Sequence, residues 1–459
     1  MDQPNIILIV LDTLRKDVLP MYGGNAYTPN LDEFIKDSVV FPKPVAPYNS
    51  TVPSHFSFFT GMYAIEHGVH EYLSLNKYIG PEFMIFQKLS DFKNKKLIQE
   101  ILLNKGYNTI EFSANSLVGS STKFSKGFNY SEDIDMYYLD NIKDIKKIIS
   151  YEKNKIKLSK LNLKNFIKLY KIYRKANFIR SYVNFPLIKG ADIITNKIVN
   201  SSFNSPFYLF INFMEMHEPY IKWEPMGKIR LKNYYYRVPN YSKLVYNHYD
   251  ILENVIPNRI MNRIRNTYKN NVSNIDYYLG KLIKYLKEIK VFDNTLIIIT
   301  SDHGQALKEK NYYGHGLFLY NEIIEVPLIV KFPNSFKFKP KDGYQSLVDL
   351  PTLILNSIEG NYIDITRETV FSESYGLDYN IDGSFKNKDK EELFKNKIAI
   401  PRKAIYKNDY KLVVNMLGNI EEFLYKGKEI KPEDNKEVLE DLFNELEIFK
   451  GTEKFVVRK

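Results

Sequence analysis

Ile6-Ile7-Leu8-Ile9-Val10-Leu11, closed by Asp12-Thr13, is an unbroken apolar run that ends in two polar residues. Such a run, with no polar alternation, fits a strand buried on both faces, the usual state of a parallel strand inside an α/β sheet. In open α/β sheets the chemistry gathers at the carboxyl ends of the strands, and Asp12 stands at such an end. The pattern recurs twice. Phe207-Tyr208-Leu209-Phe210-Ile211-Asn212-Phe213 leads into Glu215-Met216-His217, and Thr295-Leu296-Ile297-Ile298-Ile299-Thr300 leads into Ser301-Asp302-His303-Gly304. Three strand ends therefore deliver polar residues that can converge. Helical patterns separate them, as from Asn258 to Leu286 with Gly280 inside, so the fold class is α/β with a doubly wound, mostly parallel central sheet.

Around this frame, 459 residues that are 44% apolar and 26% charged can bury a large core. The chain has no cysteine, which excludes disulfides, thiolate ligands and a cysteine nucleophile. Its start, Met1-Asp2-Gln3-Pro4-Asn5, lacks the basic residues of a signal peptide, and the run from Ile6 to Leu11 is too short for a membrane span. The expectation is a cytoplasmic protein with no transmembrane segment. A formal net charge of +11 suits anionic substrates or surfaces. No nucleic-acid partner is expected, and an oligomer is compatible with the sequence.

Residues 1–355 are expected to form the catalytic α/β domain, carrying a basic helical insertion over about 143–200. Ile145, Ile148, Ile149, Ile156, Leu163, Phe166, Ile167 and Tyr170 interleave with lysines there, as in a solvated helical face or lid, or in a segment that meets a membrane surface or polyanion. Residues 356–459 are expected to form a smaller α+β subdomain. Its elements are short strands at Thr369-Val370-Phe371 and Lys411-Leu412-Val413-Val414, then a charged helix from Asn435 to Phe449.

Asp302-His303, in a turn after a buried strand, offers a carboxylate and an imidazole to one cation. With Asp12, and with Thr51 of Thr51-Val52-Pro53-Ser54-His55, they make an oxygen and nitrogen ligand set suited to manganese, zinc or calcium. Such a divalent ion lowers the pKa of the Thr51 hydroxyl and screens an approaching anion. Taken singly, Asp12 can merely cap a helix and Thr51 can merely be a turn residue before Pro53. His217 can hydrogen-bond a phosphoryl oxygen, protonate a leaving group or ligate a second metal. That second site requires His217 and His315 to converge with a carboxylate, for which Glu215 is the nearby candidate. His315, in Gly314-His315-Gly316, lies where the backbone can approach a bound anion closely. His55 falls near the first turn of a helix whose amides can face an anion. Gly68 argues against a helical pairing of His67 with His70, and Arg15 either supports the metal ligands or pairs with a carboxylate.

These residues resemble the sulfatase family of the alkaline phosphatase superfamily. The likeness runs through Asn5 to Asp17, Thr28-Pro29-Asn30-Leu31-Asp32, Pro53-Ser54-His55 to Thr60-Gly61-Met62-Tyr63, Thr300 to Gly304, and Tyr320 to Val330. It extends to Leu424-Tyr425 and Pro432-Glu433-Asp434-Asn435, nearly the whole chain. It implies an alkaline-phosphatase-like α/β sandwich with a metal at the strand ends. In that family a cysteine or serine opens the motif and is oxidised to an aldehyde; here the position holds Thr51, whose secondary alcohol cannot form one. Thr13 replaces the family's second carboxylate, His55 its motif arginine, and Ser113-Ala114 its Gly-Lys pair, with Asn115 taken as substrate-binding. Asp12, Thr51, Asp302 and His303 resemble instead the single-metal set of lipoteichoic acid synthase and phosphoethanolamine transferases, with His217 and His315 matching their active-site histidines.

The resemblance implies a metal-dependent hydrolase or transferase cleaving a phosphoester, a phosphodiester or phosphonate monoester, through Thr51. The alternatives are a sulfuric ester hydrolase acting without the aldehyde, and a non-catalytic module that binds anions. The expected partner is a small anionic ester, a phosphorylated or sulfated glycan, or a lipid headgroup.

Overall fold

A computed structural model describes residues 3–69, 96–120, 123–134, 189–218, 258–375 and 400–449. Most of the expected basic insertion, and His70, lie outside these residues. The frame is a seven-stranded sheet formed by β1 (Asn5–Leu11), β2 (Val39–Val40), β3 (Asn108–Ser113), β4 (Tyr130–Asp133), β5 (Phe207–Phe213), β6 (Thr295–Thr300) and β7 (Leu328–Lys331). Its spatial order is β2-β7-β6-β1-β5-β3-β4. The five strands from β6 to β4 run parallel, and β7 and β2 add an antiparallel edge.

The apolar runs follow from this position. Ile7, Ile9 and Leu11 of β1 enter one core with Phe207, Leu209 and Ile211, while Ile6, Leu8 and Val10 enter a second with Tyr208, Phe210 and Ile298. With both faces buried, no position along the strand selects a polar residue. Helix α1 (Pro29–Phe34) lies against α4 (Asn258–Glu288), and a Cβ on Gly280 of α4 would come within 2.3 Å of Asn30 Oδ1. Glycine there permits the helices to meet. Asp276 fixes the junction by accepting from the amides of Asn30 and Leu31 at 3.1 and 2.7 Å.

The C-terminal part forms a separate five-stranded antiparallel sheet, β8 (Thr369–Ser374), β9 (Arg402–Lys407), β10 (Tyr410–Asn415), β11 (Ile420–Tyr425) and β12 (Lys428–Glu429). Helix α5 (Lys436–Ile448) covers it with Leu442 and Leu446. The fold is thus the alkaline-phosphatase or sulfatase-like α/β architecture. Among the described residues, no helix is long and apolar enough to cross a membrane.

One acid is held inside the main sheet at an energetic cost. Glu111 of β3 is fully buried, Ser131 donates to one of its oxygens, and the other has no partner. Burial pushes its carboxyl up to about 8. The unfolded chain ionises near the ordinary value of 4.5 while the folded chain keeps the proton, so this group's stabilising contribution is lost as pH rises from there through 8. Glu111→Gln should therefore match the wild type in urea unfolding at pH 5, yet exceed it by a few kcal/mol, roughly 2–4, at pH 8. A difference independent of pH would show that the carboxyl is not held protonated.

Candidate metal centre and active site

Parallel order brings four strand ends side by side. β3, β5, β1 and β6 are consecutive neighbours, so Asn115, His217, Asp12 and the Asp302-His303 pair emerge along one edge of the sheet. Thr51 reaches the same edge as the first residue of helix α2 (Thr51–Thr60), with Ser50 extended before it. Its Oγ1 lies 3.3 Å from His303 Nε2, beside the Asp302-His303 turn. Ser54, one turn along, donates to the Asp302 carbonyl at 2.6 Å and ties the helix to the strand end.

Each carboxylate has one oxygen held by amides and one left over. Asn115 Nδ2 donates to Asp12 Oδ2 at 2.8 Å, and the backbone amides of His303 and Thr13 donate to Asp302 Oδ1 at 2.9 and 3.3 Å. Asp12 Oδ1 and Asp302 Oδ2 have no hydrogen-bond partner, and both residues are fully buried. Such orphan oxygens are costly unless something positive meets them. Burial pushes Asp12 up to about 8, with the Asp302 charge adding to it, and Asp302 up to about 7. Ligand atoms of Asp12, Asp302 and His303 lie within 4.8 Å of one another. The residues present therefore fit a divalent cation. His303 Nδ1 donates to the Gly304 carbonyl at 2.9 Å, so Nε2 carries the lone pair, on the side of Thr51.

The turn after β1 is strained. Thr13 adopts φ 61°, a left-handed conformation unfavourable for a β-branched residue. Tyr268 of α4 holds it there, donating to the Thr13 carbonyl at 2.7 Å and accepting from the Arg15 amide at 2.8 Å. Gly304 is needed nearby, because a Cβ would come within 2.2 Å of the Glu322 carbonyl oxygen. Arg15 pairs with Asp17 and Glu309, so of its two expected roles the structure displays carboxylate pairing.

His217 and His315 lie beyond His303. The rings of His303 and His315 are 4.4 Å apart between centroids, and those of His315 and His217 are 5.2 Å apart. His217 is buried and its pKa is pushed down to about 3 by that burial, so the ring is neutral. Lys189 Nζ anchors its turn by donating to the carbonyls of His217 and Glu218 at 2.6 and 3.1 Å.

Several expected positions differ in the structure. His55 does not face the cleft: its ring is fully buried among Phe58, Phe59, Phe124 and Phe210, and its Nδ1 donates back to the Thr51 carbonyl at 2.8 Å. Burial holds it neutral, with a pKa near 3, so it offers no charge to an anion. Asn115, expected to bind substrate, spends its amide group on Asp12 and its Oδ1 on the Leu117 amide at 3.0 Å. Glu215 accepts from the Ala191 amide at 2.8 Å, at the start of α3 (Ala191–Val199), and the carboxylate grouped with His217 and His315 is Glu218. Glu218 adjoins His217 in sequence, a signal that was available. Gln305 and Lys189 carried none, since neither stands apart from its neighbours in composition. His67 is structural, donating from Nε2 to Ser57 Oγ at 3.0 Å while Nδ1 accepts from the Val69 amide.

Comparison with known proteins follows the same lines. A family model described as Sulfatase matches residues 4–359. An N-acetylglucosamine-6-O-sulfatase of Bacteroides thetaiotaomicron is 26% identical over 382 residues, covering 73% of this chain and 64% of that protein. An ulvan-active sulfatase of Formosa agariphila is 21% identical over 364 residues, covering 77% of this chain and 52% of that one. The chain thus spans between about half and two thirds of the length of these curated relatives. Among solved structures, the phosphonate monoester hydrolase of Agrobacterium radiobacter superposes with a TM-score of 0.61 at 15% identity, covering 97% of this chain and 94% of that one.

Proposed function

The chain belongs to the sulfatase family, and from that premise we propose that it is a metal-dependent hydrolase, or transferase, cleaving a phosphodiester or phosphonate monoester with Thr51 as nucleophile. The observation that carries this reading is Thr51 at the head of α2, buried against Asp302 and His303. A secondary alcohol has no aldehyde to yield, so the group at this position attacks as a hydroxyl. An aldehyde hydrate can expel sulfate by elimination; a threonyl ester lacks the second hydroxyl for that and must be opened by a second attack at the central atom.

A divalent cation held by Asp12, Thr51, Asp302 and His303 supplies, when bound, the positive charge that favours the Thr51 alkoxide and draws in an anionic ester. The chain's own residues prepare that event. Asn115 and the amides of Thr13 and His303 hold the two carboxylates in fixed orientation, which lowers the reorganisation needed as charge develops. The Nδ1-H of His303 is committed to a carbonyl, so its lone pair cannot turn away from Thr51. His217 is neutral, and its Nδ1 hydrogen is donated to the Glu218 carbonyl at 2.7 Å, so the ring holds no acidic proton to give to a leaving group. The substrate class that suits the +11 chain is a small anionic ester, or the ester of a glycan or lipid headgroup.

Hydrolysis of a sulfuric ester by the Thr51 hydroxyl is the second reading, supported by relatives that are named sulfatases. Purified protein with manganese, zinc or calcium should hydrolyse bis-p-nitrophenyl phosphate and a p-nitrophenyl phosphonate monoester faster than p-nitrophenyl sulfate. Turnover of the sulfate alone would overturn the phosphoester assignment. A protein that binds no metal and turns over none of the three is an anion-binding module.

A further inference from the structure

We propose that Arg402, the first residue of β9, is a positioning residue for the loop that carries His315, so that the C-terminal sheet sets the geometry of the cleft. The proposal rests on the functional reading above only in placing the reaction beside this loop. Arg402 is buried, and a buried guanidinium is tolerated when its N–H groups are spent on acceptors. Its Nε donates to Glu421 Oε2 of β11 at 2.5 Å, and its Nη1 donates to the Ile400 and Leu317 carbonyls at 2.8 and 3.3 Å. The guanidinium carbon also stands 4.7 Å from the centre of the Phe318 ring. Glu421 and Ile400 belong to the C-terminal part of the chain. Leu317 and Phe318 follow His315 by two and three residues. One rigid fork therefore joins the two units, a task that the single ammonium of a lysine cannot repeat.

The loop needs such an anchor. His315 stands between Gly314 at φ 125° and Gly316 at φ 85°, two positions that leave the backbone free to swing. Its ring must still stay 4.4 Å from that of His303, with Nδ1 2.6 Å from Gln305 Oε1. A second group acts on the same carbonyl as Arg402: Ser374, paired opposite it on β8, donates from Oγ to Leu317 O at 3.3 Å.

The same edge of the C-terminal sheet grips the approach to Thr51. The Glu373 amide donates to the Pro47 carbonyl at 2.9 Å, and the Tyr375 amide donates to the Tyr48 hydroxyl at 2.8 Å. Asn49, next along, closes the circuit. Its carbonyl accepts from the Gly316 amide at 2.9 Å, and its Nδ2 donates to the Phe318 carbonyl at 3.2 Å. The segment entering Thr51 and the segment leaving His315 are thus tied to each other and to one strand pair. Thr51 and His315 keep their spacing through a sheet that lies outside the metal-binding edge.

Hydrogen exchange of the whole chain, read by mass spectrometry, tests this without requiring turnover. In Arg402→Ala the amides of residues 314–318 should exchange roughly tenfold faster than in wild type, while those of β1 stay unchanged. Millimolar guanidinium chloride should restore their protection; ammonium chloride of equal strength should not. Ser374→Ala, which keeps the arginine, should speed the same amides by a smaller factor and serves if Arg402→Ala fails to fold. On the substrate that wild type hydrolyses, Arg402→Ala should lower kcat on the order of 100-fold with KM nearly unchanged, the scale of a small misplacement, and guanidinium should recover it. Exchange over 314–318 that matches wild type in both variants, or a rise in KM with kcat intact, overturns the positioning role. A wild type that turns over no ester overturns the functional reading, and the exchange of 314–318 then decides the role of Arg402 by itself.

Discussion

Thr51→Ala should reduce kcat on the phosphodiester substrate by on the order of 10⁴-fold or more, the scale seen when a covalent nucleophile is deleted. Thr51→Ser should stay within about tenfold of wild type. Both follow from Oγ1 lying 3.3 Å from His303 Nε2 at the sheet edge that carries Asp12 and Asp302. Alanine removes the attacking atom; serine keeps it and loses only the methyl that restricts χ1. Folding should survive in either case. Thr51 is 2% exposed, so losing the hydroxyl and methyl costs about 1–2 kcal/mol, too little to explain a loss of that size. Thermal unfolding of both variants beside wild type separates the two effects. If alanine left the rate within tenfold, the covalent route through Thr51 would be wrong, and water activated at the metal would be the attacking group.

The same residues show what the sequence made legible. The apolar runs of β1, β5 and β6 identified parallel strands because burial on both faces leaves a one-dimensional signature, and the ends of those strands located Asp12, His217, Asp302 and His303. His55 escaped because its environment is assembled in three dimensions. Phe124 and Phe210 come from elements far from α2, and nothing local reveals that they close over its ring. Asn115 is similar: position in sequence shows that it reaches the strand edge, but only the 2.8 Å contact shows that it serves Asp12. The Glu215 and Glu218 pair is a subtler case. Two carboxylates three residues apart flank one histidine, and the choice between them depends on the amide of Ala191, which captures Glu215 from another element. Proximity in sequence ranks such candidates; partners distant in sequence decide them.

Asp12→Asn should change stability in opposite directions with and without metal. In the metal-free protein burial raises Asp12 to about 8 and Asp302 to about 7, from an ordinary value of 3.8. The folded state then holds protons that the unfolded chain has released, so metal-free stability falls as pH rises from about 4 through 8. Asparagine removes one of the two buried acids and the repulsion it exerts on Asp302. Without metal the variant should therefore exceed wild type at pH 8 by a few kcal/mol, roughly 2–4, and match it near pH 4. Added manganese or zinc reverses the order. A cation that binds only the folded chain stabilises it by mass action, and its ligands must shed their protons first, so the gain for wild type should grow from pH 6 to 8. The variant lacks the orphan Oδ1 charge that the cation would meet, and its metal-induced shift in Tm should be largely lost. Scanning calorimetry of both proteins at pH 5 and 8, with chelator and then with metal, contains the full comparison. A variant less stable than wild type at pH 8 in chelator, with its metal shift intact, would mean that Asp12 is a structural acid and that the cation sits elsewhere on the sheet edge.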